Sequence, residues 1–331
     1  MSGRKGAVLV VGGTGHLGAE VVQELHQRGY VVHVLLRSTG NATRLQGLCK
    51  LIQGDVSKPA SLQGVCAGIT VVISCLGVST KKGSGNPANE AKKVLQKGLI
   101  ALFHEAKRAG SVQQFVLIGS VLSRQLRYQW AGYQAREAAV DVIIKGCQDG
   151  NMAWTVVDPS AFFKDMVNIL RLVKKGSFTG LGKLLDHKAN PIHVQDLAAR
   201  VVDTITRKED RNIRVAVGGP ETFKYREIIQ LAADAWGMKE VKIRTFPLWS
   251  ARVLEWFLQG FAFLSVKLQR FQYFLRFLVI LSTNDSVGQP TGKRRLDAFF
   301  TELASQARQA APALEAEALP QSDAQALLTE D

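Results

Sequence analysis

The chain has 331 residues and 46% hydrophobic content, enough to bury one large or two modest cores, and no apolar run reaches the roughly eighteen residues of a membrane span. Its net charge of +14 asks for an anionic partner, yet no Lys/Arg-rich block alternates with aromatics as in a nucleic-acid-binding motif, which favours a positive groove for a phosphorylated small molecule. Cys49, Cys66, Cys75 and Cys147 show no Cys-x-x-Cys and no metal-like spacing, so they read as reduced thiols of an intracellular protein and no metal is expected.

Taken in chain order, Ala7 to Val11 is a short apolar run of the kind a central parallel strand needs. Glycines follow at 12, 13, 15 and 18, and from Ala19 to Arg28 the pattern is helical. Because this strand starts almost at the N-terminus, no signal or transit peptide is expected. A strand turning on glycine into a helix gathers bare backbone N–H groups and the positive end of a helix dipole, a setting for a pyrophosphate. Gly12 permits the turn, Gly15 lets the backbone approach phosphates, and Gly18 lets helix and strand pack closely. No Gly-Lys-Ser/Thr is present, so this is not a P-loop.

A second strand pattern, Val31 to Leu36, ends in Arg37-Ser38-Thr39. NAD-binding domains usually carry an acid here for the ribose 2′-hydroxyl. A guanidinium without a neighbouring acid suits a 2′-phosphate, which predicts NADPH over NADH; the alternative is a solvated surface arginine. Leu51 to Val56 is a third strand pattern, with Asp55 either at the adenine edge or a simple turn residue, followed by a short helix led by Pro59. Thr70 to Cys75 is a fourth strand, running into Ser74-Cys75-Leu76-Gly77. Val78 to Asn89 reads as a loop whose Lys81 and Lys82 face phosphates or merely water. Ala88 to Arg108 is helical, and Gln114 to Ile118 is a fifth strand ending at Gly119-Ser120. Strands alternating with helices define a doubly wound parallel α/β (Rossmann) sheet.

These motifs, Gly-Gly-Thr-Gly-His-Leu-Gly, Gly54-Asp55-Val56 and Ser74-Cys75-Leu76-Gly77, resemble the atypical branch of the extended short-chain dehydrogenase/reductases and its NmrA-like relatives. Asp158-Pro159-Ser160-Ala161-Phe162-Phe163-Lys164-Asp165, Asn190-Pro191-Ile192-His193, Asp196-Leu197-Ala198 and Gly218-Gly219-Pro220-Glu221 are similar to the divinyl (proto)chlorophyllide 8-vinyl reductases. The resemblance runs from about residue 6 to about 300. It implies a smaller, partly interleaved C-terminal substrate domain, 159–305, after an NAD(P)-binding domain, 1–158, while beyond Ser305 a composition of Ala, Gln, Glu and Pro with little aromatic content reads as a mostly disordered acidic tail, 306–331. The cofactor-binding candidates are Gly12, Gly13, Thr14, Gly15, His16, Leu17 and Gly18 in the turn, Arg37 and Ser38, Asp55 and Val56, Cys75, Leu76 and Gly77, Ser120, and Pro159 with Phe162. His16 reads as a helix-start residue.

Ordinary members of the superfamily reduce carbonyls with a Tyr and a Lys four residues later. Here Tyr133 lies thirteen residues after Ser120, with Arg136 three beyond and Glu137 at the fourth place. A guanidinium stabilises a phenolate by charge but cannot shed a proton. Aligned instead by the branch's Ala-Lys pattern, Arg136 takes the lysine position and Gly132 the tyrosine's. On either alignment the Tyr-x-x-x-Lys device is absent, which disfavours alcohol/ketone chemistry. Reduction of a conjugated C=C bond needs only a placed hydride and a proton source. Lys164 matches the vinyl reductases' signature and would orient an acidic substrate or donate a proton, or else be a surface lysine; Tyr133 and Tyr128 are the competing donors. The tentative catalytic set is Ser120, Tyr133, Arg136 and Lys164. Where the vinyl reductases usually carry Arg before the Pro, this chain has Asp158, an acid in place of an anion contact. His193 reads as a turn-fixing histidine rather than a base.

From Phe246 to Leu281 the chain is apolar and aromatic, interrupted by Arg252, Glu255, Lys267, Arg270 and Arg276. Those charges exclude a span. One or two amphipathic helices are expected, completing the small domain's core, capping a pocket for a hydrophobic substrate, or lying as a peripheral contact on an anionic membrane. The leading expectation is an NADPH-dependent reductase acting on a large apolar substrate with an acidic handle. The rival is a cofactor-holding sensor or assembly subunit of a membrane complex. A nucleic-acid partner ranks last, and the sequence leaves the oligomeric state open.

Overall fold

The structure is a computed structural model and describes residues 5–77, 85–261 and 265–316. It begins with β1 (Lys5–Val11), α1 (His16–Gln27), β2 (Tyr30–Leu36), β3 (Lys50–Gln53) and β4 (Val71–Ser74). Then come α2 (Pro87–Ala91), a π-helical segment (Lys92–Gly98) and α3 (Leu99–Ala109). Next are β5 (Gln114–Ile118), α4 (Val121–Gln125), α5 (Ala131–Gly146) and β6 (Ala153–Pro159). The second half holds α6 (Phe163–Lys174), β7 (Ser177–Leu181), β8 (Lys188–Ala189), α7 (Val194–Asp203), β9 (Ile213–Gly218), β10 (Phe223–Lys224) and α8 (Tyr225–Trp236). It ends in β11 (Lys242–Phe246), α9 (Leu248–Phe261), α10 (Val266–Leu281), β12 (Gln289–Pro290) and α11 (Leu296–Ala316).

Eight strands make one parallel sheet in the order β12-β9-β6-β5-β4-β1-β2-β3. The order reverses beside β1, where doubly wound sheets open a ligand crevice at the strands' carboxyl ends. β1 shows why so apolar a segment is central. Val8 and Val10 enter one core with Val21, Val22 and Leu25 of α1 and Leu197 and Val201 of α7. Leu9 and Val11 enter the other with Leu102 and Phe103 of α3 and Val140 and Ile143 of α5. A third core joins α6, α8 and α11 through Phe163, Leu170, Tyr225, Ile229 and Phe300. The second half is interleaved with the first, since α7 packs on α1 while β9 and β12 extend the main sheet.

Several expected boundaries change. The third strand stops at Gln53, and Asp55 turns the chain by accepting the Ser57 N–H at 2.8 Å. Of the loop expected over Val78 to Asn89, residues 78–84, with Lys81 and Lys82, lie outside the described residues. Pro87 to Asn89 are helical because the Asn86 side chain caps α2 by accepting the Ala88 and Asn89 N–H groups. The helix expected from Ala88 carries the π-helical segment within it. The disordered tail expected from residue 306 is corrected as far as 316. α11 runs to Ala316, because Leu296, Phe300, Leu303, Ala304 and Ala307 recur at helical spacing and are buried. The remainder, 317–331, lies outside the described residues.

Candidate active site

The glycine turn joins β1 to α1 at the carboxyl edge of the sheet. Gly12 has φ +83°, and a Cβ there would stand 2.9 Å from the Cys75 carbonyl oxygen. A Cβ on Gly18 would lie 2.1 Å from the Gly12 carbonyl oxygen, so only glycine lets α1 sit this close to the turn. α1 starts at His16 with neither a side-chain cap nor an acid in its first turn, which leaves its opening amides for a ligand's oxygens. Burial first, then the charges of Lys164, His193 and Arg44, lower the His16 pKa to about 4, so its imidazole is neutral at pH 7. The same shift reports cations converging on the turn. Of these, Lys164 was singled out in the sequence and Arg44 was missed. The turn therefore fits a dinucleotide diphosphate in both its backbone and its surrounding charge.

Arg37 and Ser38 follow β2 and are exposed, and among the described residues Arg37 makes no ion pair. Burial raises the Asp55 carboxyl, but the Ser57 hydrogen bonds and the charges of Arg37 and Lys58 outweigh it and hold it below its ordinary value. Val56 is buried, Cys75 and Leu76 are half-buried, and Gly77 is exposed at the end of β4. Pro159 closes β6, and the Phe162 ring stands 6.2 Å from that of His16. Gly13 packs on Val34, Thr14 and Gly15 are exposed in the turn, and Leu17 is buried in the first turn of α1. Among the described residues no cluster of His, Cys, Asp or Glu is arranged to hold a metal ion.

Ser120, Tyr133 and Arg136 come together at the ends of β5 and β4. The Ser120 hydroxyl lies close enough to Tyr133 to pull its phenol toward ionisation. Burial raises the phenol to about 12, against the opposing pull of Ser120 and the Arg136 charge, so Tyr133 is protonated at neutral pH. Arg136 is half-buried and donates to the carbonyls of Ile118 and Leu76. It is turned toward the strand ends that carry the cofactor candidates Leu76 and Ser120. Its pKa is lowered by burial, partly offset by Glu137, Asp158 and the two tyrosines Tyr133 and Tyr273, yet a guanidinium stays charged.

Tyr133 itself is 6% exposed. Trp130 covers it edge-on at 4.9 Å between ring centroids and stacks in turn on Tyr273 at 4.5 Å and Phe277 at 5.1 Å, both from α10. The Trp130 indole N–H donates to the Tyr273 carbonyl at 3.2 Å. A Cβ on Gly132 would meet the Tyr273 hydroxyl at 2.5 Å, so the glycine admits that phenol. Tyr128, the other donor considered, is 79% exposed. Lys164 is exposed on the first turn of α6 and acts on His16 rather than joining the Ser120–Tyr133–Arg136 group.

Two acids read above as departures from an active-site pattern belong to the framework instead. Glu137, at the expected lysine place, takes Arg214 at 2.6 and 3.0 Å and the Ser123 hydroxyl at 2.6 Å. Asp158, expected at an anion contact, takes the same Arg214 at 2.8 and 3.0 Å, and its Oδ1 lies where a Cβ on Gly119 would stand. Its carboxylate thus faces a buried guanidinium and the loop carrying the candidate serine. His193 is as expected: its Nδ1 accepts the Gln195 N–H at 3.3 Å to start α7, and its ring packs edge-on against Phe163.

A doubly wound parallel sheet with a glycine turn at its switch point defines a Rossmann-type dinucleotide-binding fold. The sequence profile of the NAD(P)H-binding family matches residues 12–208, and the chain belongs to that family. It is similar to divinyl chlorophyllide a 8-vinyl-reductase, chloroplastic, of Arabidopsis thaliana, at 30% identity over 64% of this chain and 53% of that protein, so it spans about half that relative's length. It is also similar to the photosystem II assembly factor Ycf39 of Trieres chinensis, at 27% identity over 75% and 74% of the two chains. Among solved structures, AtPrR2 with NADP+ and (+)pinoresinol has the same fold, with a TM-score of 0.68 at 18% identity, covering 91% of this chain and 99% of that one.

Proposed function

We propose that the protein is an NADPH-dependent reductase that adds hydrogen across a conjugated C=C bond of a large apolar substrate with an acidic group, Tyr133 supplying the proton. The observation that carries this is the buried, protonated Tyr133 beside Ser120, with the Arg136 guanidinium fixed alongside by the Ile118 and Leu76 carbonyls. A reduced nicotinamide, when bound, supplies the hydride. The chain's own part is to hold the diphosphate on the Gly12–Gly18 turn and to engage the 2′-phosphate through Arg37. Tyr133 gives its proton to the second carbon, Ser120 orients that phenol, and the charge of Arg136 stabilises the phenolate left behind. Trp130, Tyr273 and Phe277 exclude water from the donor and offer an apolar wall to the substrate. The vinyl reductase among the relatives supports a vinyl group as the bond reduced.

The test is incubation with NADPH and divinyl chlorophyllide, following coenzyme absorbance and the mass of the pigment. A gain of two hydrogens matched to coenzyme oxidised supports the vinyl form, and no oxidation removes it. A second reading, a coenzyme-holding assembly subunit, is favoured by the 6% exposure of Tyr133 and by the assembly factor among the relatives. Stable recovery in a membrane complex, with bound coenzyme that never turns over, would select it.

A further inference from the structure

We propose that the α9–α10 hairpin seats the protein on an anionic lipid surface, with the exposed stripe of α9 lying in the interface. This stands apart from the reading of catalysis above. On α9, Trp249, Val253, Trp256 and Phe257 are exposed by 67, 48, 69 and 54%. Their spacing of four, seven and eight residues from Trp249 puts them on one side of the helix. The opposite side is already used, for Ala251 and Leu258 are buried with Leu275 of α10 against Leu181, Leu268 and Val279. The stripe is thus left over after the hairpin has packed. Phe246, at the end of β11, adds a further large ring, 60% exposed. Surfaces rarely leave such a patch without a partner.

Charge identifies the partner. Residues 241–284 contain Lys242, Arg244, Arg252, Lys267, Arg270 and Arg276 but a single carboxylate, Glu255, a net of +5 from six cations and one anion. Glu255 stands 3.4 Å from Arg276, and Arg270 is turned inward toward Glu90 and the Gly85 carbonyl. Lys242, Arg244, Arg252 and Lys267 are left exposed. Two copies of so cationic a face repel each other, whereas tryptophans flanked by cations suit the headgroup region of an anionic bilayer. No helix among the described residues is long and apolar enough to cross a membrane. The fourteen residues of α9 measure about 21 Å, so the helix is built to lie in the surface plane.

The experiment is flotation of the full chain with vesicles of phosphatidylcholine alone and of phosphatidylcholine mixed with phosphatidylglycerol, with tryptophan emission read on the same samples. The expected result is uptake on the mixed vesicles only, reversed by high salt, with a blue shift of the emission. Trp249→Ser/Trp256→Ser and Arg252→Glu/Lys267→Glu each weaken uptake by roughly ten-fold or more. Melting temperature and circular dichroism stay unchanged, since all four side chains are exposed. No uptake on the mixed vesicles overturns the proposal, as does equal uptake on neutral ones. So does a dimer in solution that the tryptophan variant dissolves, because a second copy then covers the stripe.

Discussion

Arg214→Met tests how the site is held. Arg214 is 12% exposed and binds two carboxylates, Glu137 and Asp158, whose side chains are 2% and 8% exposed. Removing the guanidinium leaves two buried acids without their shared counter-ion, and breaking a buried pair in this way costs about 3–5 kcal/mol. At about 2.1 cal/mol/K per residue, a chain of 331 residues has an unfolding entropy of about 0.7 kcal/mol/K, so the melting temperature should fall by about 4–7 °C at pH 7. The pH dependence gives a sharper reading. In the native protein, burial pushes Glu137 up, but Arg214 and Ser123 hold it below its ordinary value. It therefore stabilises the fold above the unfolded carboxyl pKa, and that contribution is lost as pH falls through the folded one. Asp158 is raised by burial despite Arg214, so its linkage runs the other way, with stability lost as pH rises. Without Arg214 both acids are raised, and protonation relieves both. The gap between variant and native melting temperatures, followed by calorimetry from pH 7 to pH 5, should narrow. A gap below about 1 °C, or one that does not narrow, would refute the role assigned to this network.

Arg37→Asp should lower NADPH affinity about 10- to 100-fold, the equivalent of a charge-assisted contact of about 1.5–3 kcal/mol, and leave NADH binding level or better; an unchanged ratio in titration calorimetry counts against Arg37 choosing the phosphorylated coenzyme. Gly18→Ala puts a methyl 2.1 Å from the Gly12 carbonyl oxygen, so both coenzymes should bind more weakly while stability drops by about 1–3 kcal/mol. Unaltered dissociation constants would mean that the turn does not hold the diphosphate. Tyr133→Phe should slow turnover about 100- to 10,000-fold with little change in coenzyme binding. Because the phenol titrates at about 12, the native rate should show no Tyr133 limb between pH 6 and pH 10, and a rate that rises with a tyrosinate in that window contradicts its role as an acid.

What the sequence disclosed was local. The five apolar residues from Ala7 and the glycines after them specify strand, turn and helix through near neighbours, and β1 and α1 stand close to where the pattern put them. His193 was legible for the same reason, its cap reaching only two residues along the chain. What stayed hidden depends on distance. Arg214 reaches Asp158 across 56 positions and Glu137 across 77, so each acid looked like a departure at an active-site place when it was a buried counter-charge. Trp130 meets the Tyr273 backbone across 143 positions, and nothing near either residue announces the aromatic cover. The Asn-Pro-Ile signature has a structural explanation too. Asn190 donates to the Gly288 carbonyl at 2.7 Å and accepts its N–H at 2.9 Å, against a Gly218 whose Cβ would overlap the amide. In this chain the motif joins β9 and β12 to the second half, which says nothing of substrate.

That the cation beside Tyr133 is an arginine three residues on, with no lysine at the fourth, also bears on how the proton is handled. A lysine can pass a proton onward and so lets a tyrosine serve as acid or base by turns, as oxidation of an alcohol requires. Arg136 holds its protons, and its guanidinium is committed to the Ile118 and Leu76 carbonyls. With burial keeping Tyr133 protonated at neutral pH, the resting enzyme holds the acid form that reduction needs. A phenolate formed in turnover must then be reprotonated through Ser120 or from solvent once Trp130 and the α10 rings part from it. The solvent isotope effect of the proposed reductase should grow when Ser120→Ala removes the hydroxyl beside the phenol. An isotope effect indifferent to that substitution would place the proton donor elsewhere, with Lys164, exposed on α6 near His16, the next residue to test.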